Sequence, residues 1–353
     1  MDGVAAGHPA HLWVALLMVF QSWLDGIKRV LAAPAIIASV FVITLLTALP
    51  LAALVGVGMN EHLGASLTAN EAADGINYDW GQEFASQGSF LSLNSTVTPS
   101  IIGFATTLDS VSSLFDRRPI VPAIAIAVAV YLFAWLFVTG GILDRFARGR
   151  RTGAYGFFAA SGVFFFRFLR LAVVAVIVYA FLFVYVHQWL FAKWYVSATR
   201  DLPFERTVFY WRLLMYGMFA ALLALTTTVF DYAKVRAVVE DRRSMIGALV
   251  AGARFIVRNP ARVAGLYLAN AIVFLVVVGI WAFVAPGAGG SGVSMWAGVA
   301  ASQCYILARL IVKLQFFASE TALFQRSLAH WGYTAARVVI RPEPPIIEVI
   351  RSA

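Results

Sequence analysis

Gly252-Ala253-Arg254-Phe255-Ile256-Val257-Arg258-Asn259-Pro260 decides the reading of this chain, because its spacing occurs twice more. Gly26-Ile27-Lys28-Arg29-Val30-Leu31 leads to Pro34, and Gly162-Val163-Phe164-Phe165-Phe166-Arg167 leads to Arg170; in all three the glycine stands eight residues ahead of the final position. A long apolar run follows each. The pattern predicts a short amphipathic helix along a membrane surface, a bend, and then a membrane-spanning helix. Recurrence of one supersecondary unit sets an architecture before any single residue is interpreted.

Composition supports the same class. The chain has 353 residues, of which 61% are hydrophobic and 13% charged, against roughly 25% charged in soluble domains. Mean hydropathy is +0.81. The apolar runs are continuous over about 20 residues, the length that crosses a bilayer as a helix. They do not alternate as barrel strands would. Six spans are expected near 34–57, 120–142, 169–194, 208–230, 262–284 and 295–316, with surface-lying or shallow helices over 10–31, 154–168 and 244–258. The expected fold is thus an all-α integral membrane protein: six transmembrane helices built from three repeats of an interfacial amphipathic helix plus a transmembrane hairpin. It divides into an N-terminal interfacial helix (1–33), a six-span membrane domain (34–327) with a large outer loop (58–118), and a cytoplasmic tail (328–353).

Charge gives the orientation. Segments 1–33, 143–170, 231–262 and 309–353 hold 21 of the 27 lysines and arginines, while the 18 acids divide evenly between the two sides. Lys/Arg excess marks the cytoplasmic face, so both termini are expected in the cytoplasm of a bacterial inner membrane. The N-terminus lacks the charged start and cleavage site of a signal peptide, so insertion through an uncleaved first span is expected. Without a soluble basic domain or a basic–aromatic platform, no nucleic-acid partner is expected. Membrane phospholipids and other membrane-protein subunits are.

A search for chemistry returns no catalytic motif: no HExxH, Gly-x-Ser-x-Gly, P-loop or acid-rich metal signature occurs. The expectation is a protein that is not an enzyme and holds no cofactor or metal. The single cysteine, Cys304, excludes an internal disulfide and is read as a small buried hydrophobe. Each return span carries an acid followed by a base: Asp144, Asp231 and Glu320. Arg309 and Lys313 stand at i, i+4 on the last span. Lys313 is close enough to the inner face to snorkel, and the deeper Arg309 requires a partner, with Asp231 and Glu320 as candidates. These four, with mid-span Asn270, serve either structural pairing or contact with a lipid or substrate anion. His187 is read as part of an interfacial aromatic belt, and Asn270 as inter-helix glue.

Outside the membrane, Thr98-Pro99-Ser100 reads as a helix start, with apolar residues through Leu114 at helical spacing. Tyr78, Asp79, Trp80 and Glu83 form an aromatic, acidic loop tip, either a cation or sugar contact or a packed cap on the helix ends. The run Pro286–Gly292 reads as a flexible tether, and Ile346–Ile350 as a short strand or docking peptide.

The Gly252-to-Pro260 unit, behind Phe230-Asp231-Tyr232-Ala233, resembles bacterial multi-pass families of unknown function. It also resembles the non-catalytic membrane region of some glycerophosphodiester phosphodiesterases. The likeness covers mainly 225–285, with an echo at 20–60. No soluble phosphodiesterase domain is present, so no such activity is implied. The expected function is an accessory or scaffolding subunit of a membrane complex with lipid contacts, with a small transporter or lipid-handling permease using Arg309, Asn270 and His187 as the alternative.

Overall fold

The computed structural model describes residues 9–64, 77–88, 92–97, 102–150, 153–287, 292–328 and 333–335. These residues are helical, without a strand among them. Six helices are long and apolar enough to cross a membrane: α2 (Pro34–Gly64), α5 (Pro122–Arg148), α6 (154–199), α7 (Glu205–Val239), α9 (Pro260–Val284) and α10 (Val293–Arg326). The shorter helices are α1 (Pro9–Leu31), α3 (Tyr78–Ser86), α4 (Ala105–Phe115) and α8 (Met245–Arg258).

Two of the expected breaks are present. Helix α1 stops at Leu31 and α2 restarts at Pro34; α8 stops at Arg258 and α9 restarts at Pro260, with Asn259 between them. In both, proline takes the first turn, where its missing N–H is not needed. The third expectation is corrected: α-helix continues through Arg170 from Ala154 to Phe181, then through two π-turns to Thr199. Arginine keeps its N–H and fits a helix interior, so nothing interrupts the ladder. The segment 154–168 is therefore the first part of a span and not a separate surface helix. Several spans also extend past the expected limits, α5 by a turn and a half to Arg148 and α10 by almost three turns to Arg326.

The hydrophobic core lies at one end of the bundle. Its members come from the starts of α2, α6 and α9 and from the C-terminal portions of α5, α7 and α10, including Val40, Phe146, Phe168, Tyr232, Leu266 and Phe324. Along the most apolar stretch of each span, at most 28% of residues are buried inside the protein. The spans are thus bound together at their basic ends and expose apolar faces over the rest of their length. A smaller cluster of Leu182, Leu190, Met215 and Phe219 joins α6 to α7 away from that end.

Three helix pairs build the packed end: α1 lies along α10, the start of α6 along α5, and α8 along α7. Each contact is close because a small residue sits in it. A Cβ on Gly26 would stand 2.9 Å from the Ser319 backbone nitrogen, and one on Gly252 would stand 3.1 Å from that of Ala233. Between α5 and α6, a Cβ on Gly141 would stand 2.6 Å from Ser161 Oγ. Small residues admit such backbone approach where lipid supplies no hydrophobic drive between helices. Side chains then bond the pairs together. Arg29 donates to the Phe146 carbonyl and to Gln325 Oε1, both at 2.8 Å, which joins α1, α5 and α10. Gln325 Nε2 donates to the Ala147 carbonyl at 2.8 Å and to that of Tyr333 at 3.3 Å. Ala335 donates to the Val239 carbonyl at 2.8 Å, so residues 333–335 lie across the base. The rest of the expected tail, including Ile346–Ile350, lies outside the described residues, as do Thr98-Pro99-Ser100 and most of the Gly-rich tether.

Candidate functional site

Two groups of ionisable side chains occupy the packed end, one between the spans and one on its surface. The inner group follows from the helical spacing of α7 and α10. Asp231 and Lys234, three residues apart, form an ion pair. Lys234 Nζ also lies 5.0 Å from the centre of the Phe317 ring. On α10, Lys313 Nζ lies 3.6 Å from the Trp135 ring centre and 5.4 Å from that of Tyr131. A desolvated ammonium on such a face gains about 2 kcal/mol. Glu320 is 3% exposed, and its Oε2 meets no hydrogen-bond donor among the described residues. Asp231 and Lys234 are its charged neighbours.

This arrangement corrects the expectation for Arg309. Its side chain is exposed on the bundle, 5.5 Å over the Tyr305 ring, without a carboxylate in ion-pair reach among the described residues. Lys313, one turn nearer the packed end, is half-buried and lies on the Trp135 ring, while among the described residues Arg145 is a buried cation, 8% exposed, donating to the Ala32 carbonyl at 3.2 Å. Asp231 is taken by Lys234, and Glu320 does not pair with either base of α10. Asn270 behaves as inter-helix glue: its Nδ2 donates to Ser319 Oγ at 2.9 Å. Asp144 pairs with Arg148 at 2.9 Å, one turn along the same helix. His187 is buried, with Nε2 2.6 Å from the Phe115 carbonyl and its ring stacked on Phe191. Cys304 is exposed, contrary to the buried reading.

The four outer-loop residues do not share one face of their helix. Trp80 turns inward, stacks on Phe84 and donates from Nε1 to His62 Nδ1 at 2.9 Å. Tyr78, Asp79 and Glu83 remain on the exposed face of α3. The helix packs on the end of α2 through Trp80, Phe84 and His62, as the cap reading expects. Of the second outer helix, Asp116 accepts hydrogen bonds from the Tyr216 hydroxyl, Ser112 and Arg212. Chiefly the Tyr216 bond, against a smaller burial effect, holds this carboxyl below its ordinary value.

The surface group was not singled out from the sequence. A recess of about 670 Å³ opens between α7, α8 and α9 and is lined by Arg236, Arg242, Arg254, Arg258 and Arg262, over Phe255 and Phe324. Arg254, Arg258 and Arg262 follow one another at four-residue intervals across the Asn259 bend, a ladder visible in the sequence. Arg236 and Arg242 come from the neighbouring helix end, which only the fold brings near. Glu240 pairs with both of them and is the acid closest to the recess in these ion pairs, though it does not line it. Burial opposes its ionisation, and the two arginine bonds outweigh that and keep its carboxyl below the ordinary value. Arg254, Arg258 and Arg262 have no ion-pair partner among the described residues. Among the described residues Arg262 bonds to Asn259 Oδ1, at 3.3 Å. The site therefore concentrates positive charge with apolar walls.

Among the described residues no three His, Cys, Asp or Glu side chains come together as metal ligands. No family model matches the chain, and no curated protein or solved structure is significantly similar to it.

Proposed function

We propose that this protein is a non-catalytic subunit of a bacterial inner-membrane complex, accessory or scaffolding in role, with acidic phospholipids against its basic end. Both termini and the packed end lie in or near the cytoplasm in this reading. The observation that carries it is the one-ended core. The spans are bonded together at their basic ends and present long apolar faces elsewhere, surfaces suited to partner helices as well as to acyl chains. The buried polar side chains support it too, since Arg29, Gln325 and Asn270 are engaged in helix–helix bonds. The same reading takes α1–α2–α5, α6–α7 and α8–α9–α10 as three copies of one unit, each leading helix seated on the return span of another unit and α1 seated on α10.

Purification from native membranes in a detergent-free polymer tests the role. A stoichiometric membrane partner, cross-linked through the apolar faces of α2 or α9, is the expected result. Periplasmic-reporter fusions test the orientation: activity is expected after Ser89 and silence after Gly149. A second reading, a small transporter, draws on the charges between α7 and α10 and on the unbonded Glu320 oxygen. It would displace the first if the chain ran alone in native membranes and carried a solute flux that Glu320→Gln abolished.

A further inference from the structure

We propose that the recess between α7, α8 and α9 binds a phosphate-bearing anion, either the head group of an acidic phospholipid or free phosphate. The inference rests on the reading that this end of the bundle meets the head-group region. Five guanidinium groups line the recess and, among the described residues, no carboxylate does. Like charges at i, i+4 repel by a few tenths of a kcal/mol per pair on a helix surface; Arg254 and Arg258 are arranged that way on α8, and Arg262 follows on α9 across the bend. An arrangement that repels itself is stabilised by an anion placed among its members. Guanidinium is the group for that task, because its planar fork meets two phosphate oxygens at once. A lysine cluster would hold phosphate only as point charges.

The surroundings fit the rest of such a ligand. Arg236 is already aimed: Nη1 donates to the Ala251 carbonyl at 2.7 Å, and its guanidinium carbon lies 5.2 Å over the Phe324 ring. Glu240 fixes Arg236 and Arg242. Two arginines are thus preorganised on the α7 side, while exposed Arg254 and Arg258 are free to close from the other. The N-terminus of α9 starts at the same rim, and its partial positive charge adds to theirs. Phe255, Phe324, Val250 and Leu328 give an apolar wall against which a glycerol or acyl portion packs.

The full chain in phosphatidylcholine nanodiscs, with and without phosphatidylglycerol, tests this by native mass spectrometry and thermal unfolding. A parallel arm adds inorganic phosphate to the phosphatidylcholine discs. The probe variant is Arg254→Gln/Arg258→Gln; Arg150→Gln/Arg170→Gln changes the same net charge outside the recess. Wild type is expected to retain phosphatidylglycerol or to be stabilised by phosphate. The recess variant should lose roughly tenfold in affinity, the equivalent of one charge-assisted bond. Its ligand-free unfolding temperature should hold or rise, because repulsion is removed. Retention of phosphatidylglycerol that phosphate does not displace identifies a head group as occupant. Stabilisation by phosphate alone identifies the free anion. Equal losses in both variants, or no loss in the recess variant, overturn the proposal. Partner co-purification by the recess variant is scored separately, so failure of the anion site leaves the scaffold reading standing or falling on its own result.

Discussion

Replacing Arg29 by methionine removes the group that joins three helices while keeping its apolar stem. Arg29 bonds to the Phe146 carbonyl and Gln325 Oε1 at 2.8 Å and to Asp25 at 3.1 Å. Taking one partner from a buried ionic network costs about 3–5 kcal/mol, because the remaining groups are left desolvated. Here 19% of the Arg29 side chain is exposed and Asp25 keeps Arg326 at 3.9 Å. The loss therefore belongs at the lower limit, about 3 kcal/mol. Reversible unfolding by dodecyl sulfate in mixed micelles measures it. Arg29→Lys should recover less than half, since an ammonium cannot span the Phe146 and Gln325 acceptors as a fork does. Arg29→Met combined with Gln325→Leu should cost less than the sum of the single changes, because both delete one shared bond. A loss below about 1 kcal/mol, the range of exposed ion pairs, or full additivity, would refute the account of the packed end.

Three further expectations follow from other contacts. Gly26→Val drives a side chain into the Ser319 backbone, 2.9 Å from its first carbon, and should destabilise by about 1–3 kcal/mol; Gly56→Ala, with open space around it, should not, and equal behaviour would disprove the close crossing. Asp116 is held below its ordinary value, so its stabilisation is complete above the unfolded value near 3.9 and is lost as pH falls through the lower folded value. Hydrogen exchange of α4 should accelerate only below about pH 4, and Asp116→Asn should flatten that profile; a transition above pH 5 contradicts it. Asn270→Leu should cost less than about 1 kcal/mol, the scale of single hydrogen bonds between membrane helices; in the same unfolding assay, a loss of several kcal/mol would show that Asn270 does more than join α9 to α10.

The spans were legible because continuous apolar runs have one membrane solution, and the breaks at Pro34 and Pro260 because proline removes an N–H. Arg170 shows the limit of reasoning by spacing alone: the position matched and the chemistry did not, so the helix went on. The choice between Arg309 and Lys313 depended on depth along the helix axis. Both point to similar sides of α10, but the core occupies only one end, and Lys313 is the one that reaches Trp135. Whether Trp80 serves a contact or a cap stayed open in the sequence because its partner, His62, lies on another helix. The arginine recess was half visible. The Arg254, Arg258 and Arg262 ladder stands in the sequence, whereas Arg236 and Arg242 join it only through the packing of α8 on α7.

The seating of α1 against α10 has a consequence for biogenesis. The bond from Gln315 to the Trp23 carbonyl crosses 292 residues, and that from Arg29 to Gln325 crosses 296. At synthesis rates of about 5–20 residues per second, the first helix waits roughly 15–60 s for the surface it will occupy. Throughout that interval Gly26 has no counterpart, and the Arg29 fork has Asp25 and the Phe146 carbonyl but lacks Gln325. Completion of the packed end is thereby tied to the synthesis of α10. A ribosome that stops before α10 releases a product whose leading helix is still unseated, a polar, recognisable mark for a membrane protease.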